Sequence, residues 1–103
     1  MQRFEIRRFL PDFPEGQNPY VVILQAKDID AMASIVVAPL ERRERATKLS
    51  QYELPIDIET RSYVIVLHEL ASQPKSELGA IAGSAQHLEW EIGRALDRLL
   101  FGV

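Results

Sequence analysis

The stretch SAQHLEWEIGRALDRLLFGV, residues 84–103, decides how the rest of the chain is read. Placed on a wheel at about 100° per residue, its apolar residues Ala85, Leu88, Ile92, Ala95, Leu96 and Leu99 gather on one side. Trp90, Arg94, Asp97 and Phe101 gather on the opposite side, within roughly 60° of one another. This predicts an amphipathic helix with one face on a core. Glu89 and Glu91 stand in its first half and Arg94 and Arg98 in its second, the order the helix macrodipole favours. Ser84 has the chemistry of an N-cap, a hydroxyl that accepts from the unpaired amides of the first turn. Gly93 costs roughly 1 kcal/mol relative to alanine inside a helix, which predicts close approach of another backbone. The outward face joins two aromatics with a charge of each sign, a mixture typical of recognition surfaces. Chain ends usually fray into polar residues, so an end at Phe101-Gly102-Val103 reads as one that is held or used. Plainer readings stand beside it: Gly102 as a left-handed helix cap, Phe101 folded back onto the sheet, and Trp90 packed under a loop.

Upstream of the helix the periodicity changes from 3.6 to 2. Phe4 and Ile6 alternate with Arg3, Glu5 and Arg7, a first strand over residues 2–9. Leu10 to Pro19 holds three prolines, Gly16 and Asn18, a loop long enough to serve as a binding element. Tyr20 to Leu24 is a continuous β-prone run, as in a strand covered on both faces. Ala26 to Ala33 is turn-like, and Ser34 to Ala38 reads as a strand closed by Pro39. Glu41 to Ser50 is charged, with room for a helical turn. Tyr52, Leu54, Ile56 and Ile58 alternate with polar residues, and Pro55 places that strand at a sheet edge. Glu59-Thr60 is a turn before a strand over Arg61 to Leu67. Ala71 to Gly83, with Pro74, Gly79 and Gly83, reads as a short strand or bent segment. About five short strands and a terminal helix predict one domain over 1–103, mainly β with a C-terminal helix (α+β).

At 103 residues, 47% hydrophobic and 26% charged, the composition is that of an ordinary globular chain. No run is long enough to span a bilayer. The alternating N-terminus does not read as a secretory signal. Zero cysteines exclude disulfides and thiolate metal sites and fit a cytoplasmic protein. A net charge of −3 argues against autonomous nucleic-acid binding, which runs on phosphate neutralisation. Arg42, Arg43, Arg45 and Lys48 are interleaved with Glu41 and Glu44 and read as a solvated connection. His68 and His87 lack the further ligands a metal site needs. Asp28 with Asp30, and Asp57 with Glu59, read as solvated turn and strand residues. Phosphate-cradling glycine loops, nucleophile elbows and dinucleotide fingerprints are all missing, so no cofactor and no metal are expected.

Four strings, in order, carry a family likeness: Met1-Gln2-Arg3-Phe4; Ile35-Val36-Val37-Ala38-Pro39-Leu40; Glu69-Leu70-Ala71-Ser72-Gln73-Pro74; and Leu99-Leu100-Phe101-Gly102-Val103. Over the whole length the chain resembles the CcdB family of plasmid-maintenance toxins, which poison DNA gyrase. The resemblance implies an SH3-like small barrel plus an extra sheet and a terminal α-helix, assembled as a two-fold homodimer with the chain ends side by side. It further implies a non-enzymatic toxin of a type II toxin–antitoxin pair. Such a toxin binds the gyrase A subunit and traps the cleaved enzyme–DNA complex. Carried over by position, Phe101, Gly102 and Val103 form the tip. Glu89, Trp90, Arg94 and Asp97 fall among the target-facing helix residues. A small CcdA-like antitoxin, folding on the toxin, is the second implied partner, and DNA is met only through gyrase or antitoxin. Arg8, Phe9, Phe13, Arg42 and Arg43 are candidate antitoxin contacts. The sequence departs from the family where the tip aromatic is Phe101 in place of tryptophan, and where Trp90 and Arg94 replace small amides. Two alternatives stay open: an mRNA-cleaving toxin of the MazF/Kid type, which shares the fold, and, from those departures, a chromosomal relic that binds only the antitoxin.

Overall fold

The structure is a computed structural model that describes residues 1–11, 19–26, 32–44 and 48–102. Seven strands precede one α-helix: β1 (Glu5–Phe9), β2 (Tyr20–Ile23), β3 (Ser34–Arg42), β4 (Glu53–Ile58), β5 (Arg61–Val66), β6 (Ala71–Pro74), β7 (Leu78–Ser84) and α1 (Glu89–Phe101). They form one antiparallel sheet in the order β4-β5-β3-β2-β1-β7, with β6 also paired to β3. The protein is mainly β with a C-terminal helix, and the sheet curls into a half-barrel. The expected small barrel and extra sheet are therefore parts of one hydrogen-bonded sheet.

β2 is buried at every position because apolar clusters cover both its faces. Tyr20 and Val22 join Phe4, Ile6, Leu40, Ile65, Ile92 and Ala95 in the cluster under the helix. Val21 and Ile23 join Ile35, Val37 and Leu78 on the other face, with Phe9 packed against them. This is the environment that an unbroken apolar run requires. β4 alternates as expected, with Ile56 and Ile58 inward, and lies at the sheet edge, where Pro55 leaves no central ladder amide missing.

The sequence predicts that Pro39 closes β3, but the strand runs on to Arg42. Pro39 lies within the strand, opposite Val21 of β2. On its other edge β3 has two successive partners: Leu40 pairs with Ile65 of β5, and Val37 pairs with Ala71 of β6. The 3-10 turn Leu67–Glu69 separates those partners. Pro39 falls in that gap, where a strand tolerates the loss of an amide donor. Ala71 to Gly83, read as a short strand or bent segment, instead belongs to two strands, β6 and β7, joined by a 3-10 turn at Lys75–Glu77.

Phe4 ties the layers together. It adopts φ +70° although it is bulky, a left-handed conformation rare for such a residue. Its amide donates to Ile23 O at 2.7 Å, its carbonyl accepts from Ala85 N at 2.8 Å, and its ring is 2% exposed. The chain start is thereby fastened to both β2 and the approach to the helix.

Ser84 is not the helix N-cap. It ends β7, paired with Glu5, and its Oγ accepts from Gln86 N at 3.1 Å. A 3-10 turn, Gln86–Leu88, follows, and α1 starts at Glu89 with no side-chain cap on Leu88. The apolar face is as the wheel predicts: Ala85, Ile92 and Ala95 are buried, and Leu88, Leu96 and Leu99 are half-buried. Among the described residues nothing outside the helix's own backbone approaches Gly93; a Cβ there would meet nothing within 4 Å.

Candidate functional site

With Ile92 and Ala95 committed to the core, helix geometry leaves Trp90, Arg94, Asp97 and Phe101 in solvent. Trp90 is 66% exposed, which settles the choice between packing residue and contact residue in favour of exposure. The guanidinium of Arg94, one turn on, lies 4.9 Å from the centre of the Trp90 ring, a cation–π contact that stiffens both side chains. Phe101 is 73% exposed and does not fold back onto the sheet. Glu89 is exposed and accepts from Gln86 Nε2 at 2.9 Å. Val103 and Phe13 lie outside the described residues.

Gly102 is the helix cap. Its φ is +74°, and its amide donates to Arg98 O at 2.9 Å, the left-handed end that glycine reaches without a Cβ clash. The same residue is exposed, so capping and presentation of the tip coexist.

Two features of this end were not singled out from the sequence. Arg98 Nη1 donates to Gln51 Oε1 at 2.6 Å, bracing the last helical turns against the start of β4. A cleft of about 190 Å³ lies between that brace and Trp90, and another of about 270 Å³ between it and Gly102. Leu100 is 62% exposed, beside Phe101. The wheel does place Leu100 away from the core face; the Gln51 contact, 47 residues distant, has no sequence signal.

The candidate antitoxin contacts do not form one patch. Arg8 packs its guanidinium 5.6 Å from the Tyr20 ring centre, on the helix side of the sheet. Phe9 packs on the opposite side, as successive strand residues do. There it lines a hollow of about 200 Å³ with Val21, Val37, Pro39 and Glu69. Arg42 and Arg43 line a second cleft of about 200 Å³ with Glu41, Leu49, Glu53 and Val64.

Charged residues line both hollows: Glu69 the first, and Glu41, Arg42, Arg43, Glu44 and Glu53 the second. Burial raises the Glu41 carboxyl pKa, and repulsion from Glu69 and Glu53 raises it further, with His68 acting the other way. Glu53 is held below the usual carboxylate range by hydrogen bonds from Ser50, whose amide donates at 3.0 Å. The His68 ring sits 6.3 Å from that of Tyr52. Among the described residues no three His, Cys, Asp or Glu side chains converge as metal ligands, and no helix is long and apolar enough to cross a membrane.

The site is thus a curled sheet closed by one helix, whose aromatic, charged outer face ends in a glycine-capped tip. Residues 4–102 match the CcdB protein family, and the chain belongs to that family of toxin–antitoxin toxins. No curated protein matches the chain significantly. Among solved structures it is similar to the crystal structure of an Mtb toxin, at 17% identity and TM-score 0.71, covering 92% of this chain and 99% of that one. It is also similar to an endoribonuclease in complex with its cognate antitoxin from a mycobacterial species, at 18% identity and TM-score 0.75, covering 97% and 94%. A third likeness is to Mycobacterium tuberculosis toxin MazF-mt6, at 18% identity and TM-score 0.73, covering 92% and 94%. At these identities the likeness is one of fold.

Proposed function

We propose that this protein is a non-enzymatic toxin that binds the gyrase A subunit and holds the cleaved enzyme–DNA complex. The observation that carries the reading is the outer face of α1. It presents Trp90, Arg94, Asp97 and Phe101 to solvent at the end of a helix whose other face completes the core. Exposed tryptophan and phenylalanine beside arginine are the residue types that dominate binding energy in interfaces. The family's tip falls on Phe101, Gly102 and Val103. Phe101 supplies apolar area there but a weaker cation–π face than tryptophan would. The stacked Trp90–Arg94 pair adds a second aromatic contact about three turns before Phe101.

The working form in this reading is a cytoplasmic homodimer. Gly93, Leu96 and Leu100 share one flank of α1. Gly93 has open space above it and Leu100 is 62% exposed, which suits the side-by-side approach of a second helix. A two-fold axis on that flank brings both tips together. A small CcdA-like antitoxin neutralises the dimer.

Induced expression in a gyrase-sensitive host, with and without Gly102→Glu, tests this. Growth arrest that the substitution relieves while the dimer stays folded supports the tip. Arrest that persists removes it. Incubation of purified protein with ribosome-free RNA separates the rival reading, since a MazF-type toxin cleaves it and a gyrase poison does not.

A further inference from the structure

The two hollows described above lie on one face of one strand. Val37 and Pro39 floor the first, Glu41 and Arg43 line the second, and these are alternate residues of β3 and its continuation. Alternate residues share a face, so on the side of the sheet away from α1 the two hollows follow one another as one groove, with Arg42 and Glu44, of the opposite parity, also reaching the second. From Val37 to Arg43 it runs about 20 Å, at roughly 3.3 Å per residue. Its first half is apolar, walled by Phe9 and floored by Val37 and Pro39. Its middle carries more carboxylates than cations: Glu69 lines the first hollow, Glu41, Glu44 and Glu53 line the second with Arg42 and Arg43, and the carboxylates of Glu69 and Glu53 both act on Glu41. Like charges gathered beside an apolar hollow are destabilising by themselves and are relieved by a cation.

We infer that this groove binds an extended polypeptide segment that places an apolar side chain over Val37 and Pro39 and a lysine or arginine two residues away, over Glu41. The spacing follows from the period of two shared by β3 and any extended chain lying along it. The charge follows from the carboxylates. The inference rests on the antitoxin reading above, and it gives the part of the antitoxin that lies on this face a chemistry: apolar, any residue, basic. Phe9 and Arg43 then contact the same bound segment from its two ends, while Arg8, on the other face of the sheet, does not contact it.

Two synthetic eight-residue peptides, built on threonine with one isoleucine and differing only in a lysine or a glutamate two positions later, test it. They are titrated into the 15N-labelled full chain. The lysine peptide moves the amide signals of Val37, Glu41, Ala71 and Gln73 with at least tenfold tighter binding than the glutamate peptide, and leaves the Trp90 indole signal unmoved. In the folded Glu41→Gln/Glu69→Gln variant that preference disappears. Silence at those amides, equal binding of the two peptides, or a preference that survives in the variant overturns the inference. The antitoxin reading is scored separately, by co-purification with the polypeptide encoded beside this chain. Co-purification with a silent groove removes the groove and keeps the antitoxin. Peptide binding without co-purification keeps the groove and removes the antitoxin.

Discussion

Replacing Phe101 by alanine separates a recognition tip from a packing residue. A phenylalanine side chain offers about 200 Å². With Phe101 73% exposed, about 150 Å² of it is available to a partner and only ~50 Å² is covered by its own chain. At roughly 25 cal/mol per Å², the covered part contributes ~1 kcal/mol to folding and the open part offers ~3–4 kcal/mol to binding. Part of that open area stays wet at an interface and alanine retains its Cβ, so the loss in binding is about 2–3 kcal/mol, on the order of a hundredfold in Kd. The loss in folding is about 1 kcal/mol, a fall in Tm of roughly 4–8 °C for a chain of this size. The assay is a pair of measurements on purified Phe101→Ala: a thermal melt, and titration against the gyrase A subunit by calorimetry. A Tm that drops by ~15 °C or more makes Phe101 a core residue, contrary to its exposure. An affinity equal to that of the unmodified chain, with the fold intact, removes the tip from the interface.

Other perturbations give equally specific outcomes. Trp90 is the single tryptophan, so its emission reports on the outer helix face and shifts to shorter wavelength when gyrase A covers it; an unchanged spectrum at saturating partner excludes that contact. Gly93→Leu keeps the fold, because the space above Gly93 is open and leucine is a better helix former by roughly 0.8 kcal/mol, but it weakens self-association in sedimentation. Gly102→Ala forces a Cβ into φ +74° and lowers stability by about 1 kcal/mol, read as a drop in Tm. Glu41 has a raised pKa in the folded protein, so its protonated form is the one folding favours. Its favourable contribution is present below the ordinary value of 4.5 and is lost as pH rises through the higher folded value. Glu41→Gln therefore raises Tm at pH 7, and its advantage shrinks towards pH 4; a difference that does not vary with pH contradicts the raised pKa that burial, and then repulsion from Glu69 and Glu53, give Glu41.

Much of the architecture is legible in local pattern because local pattern is what burial acts on. The apolar stripe of α1, the two-sided burial of β2 and the edge position of β4 follow from periods of 3.6 and 2 meeting a single core. So does the exposure of Arg94, Asp97 and Phe101. Legibility ends where one residue answers to a distant partner. Pro39 looks like a strand end, yet β5 and β6 leave a gap for it across the sheet. Ser84 looks like a helix cap, yet pairing with Glu5 draws it into β7. Gly93 looks like a site of close approach, yet its own chain leaves it open.

The sequence by itself determined strands β1 to β5, the two-faced terminal helix and the family to which the chain belongs, since each is carried by residues close together or by strings in a given order. Only the tertiary structure decided that Gln51 braces Arg98, that Arg8 and Phe9 part to opposite faces, and that Phe9, Pro39 and Glu69 line one hollow while Glu41 and Glu53 line another. The physical reason is that those contacts are set by strand register and sheet curl, which join residues tens of positions apart and leave no period along the chain.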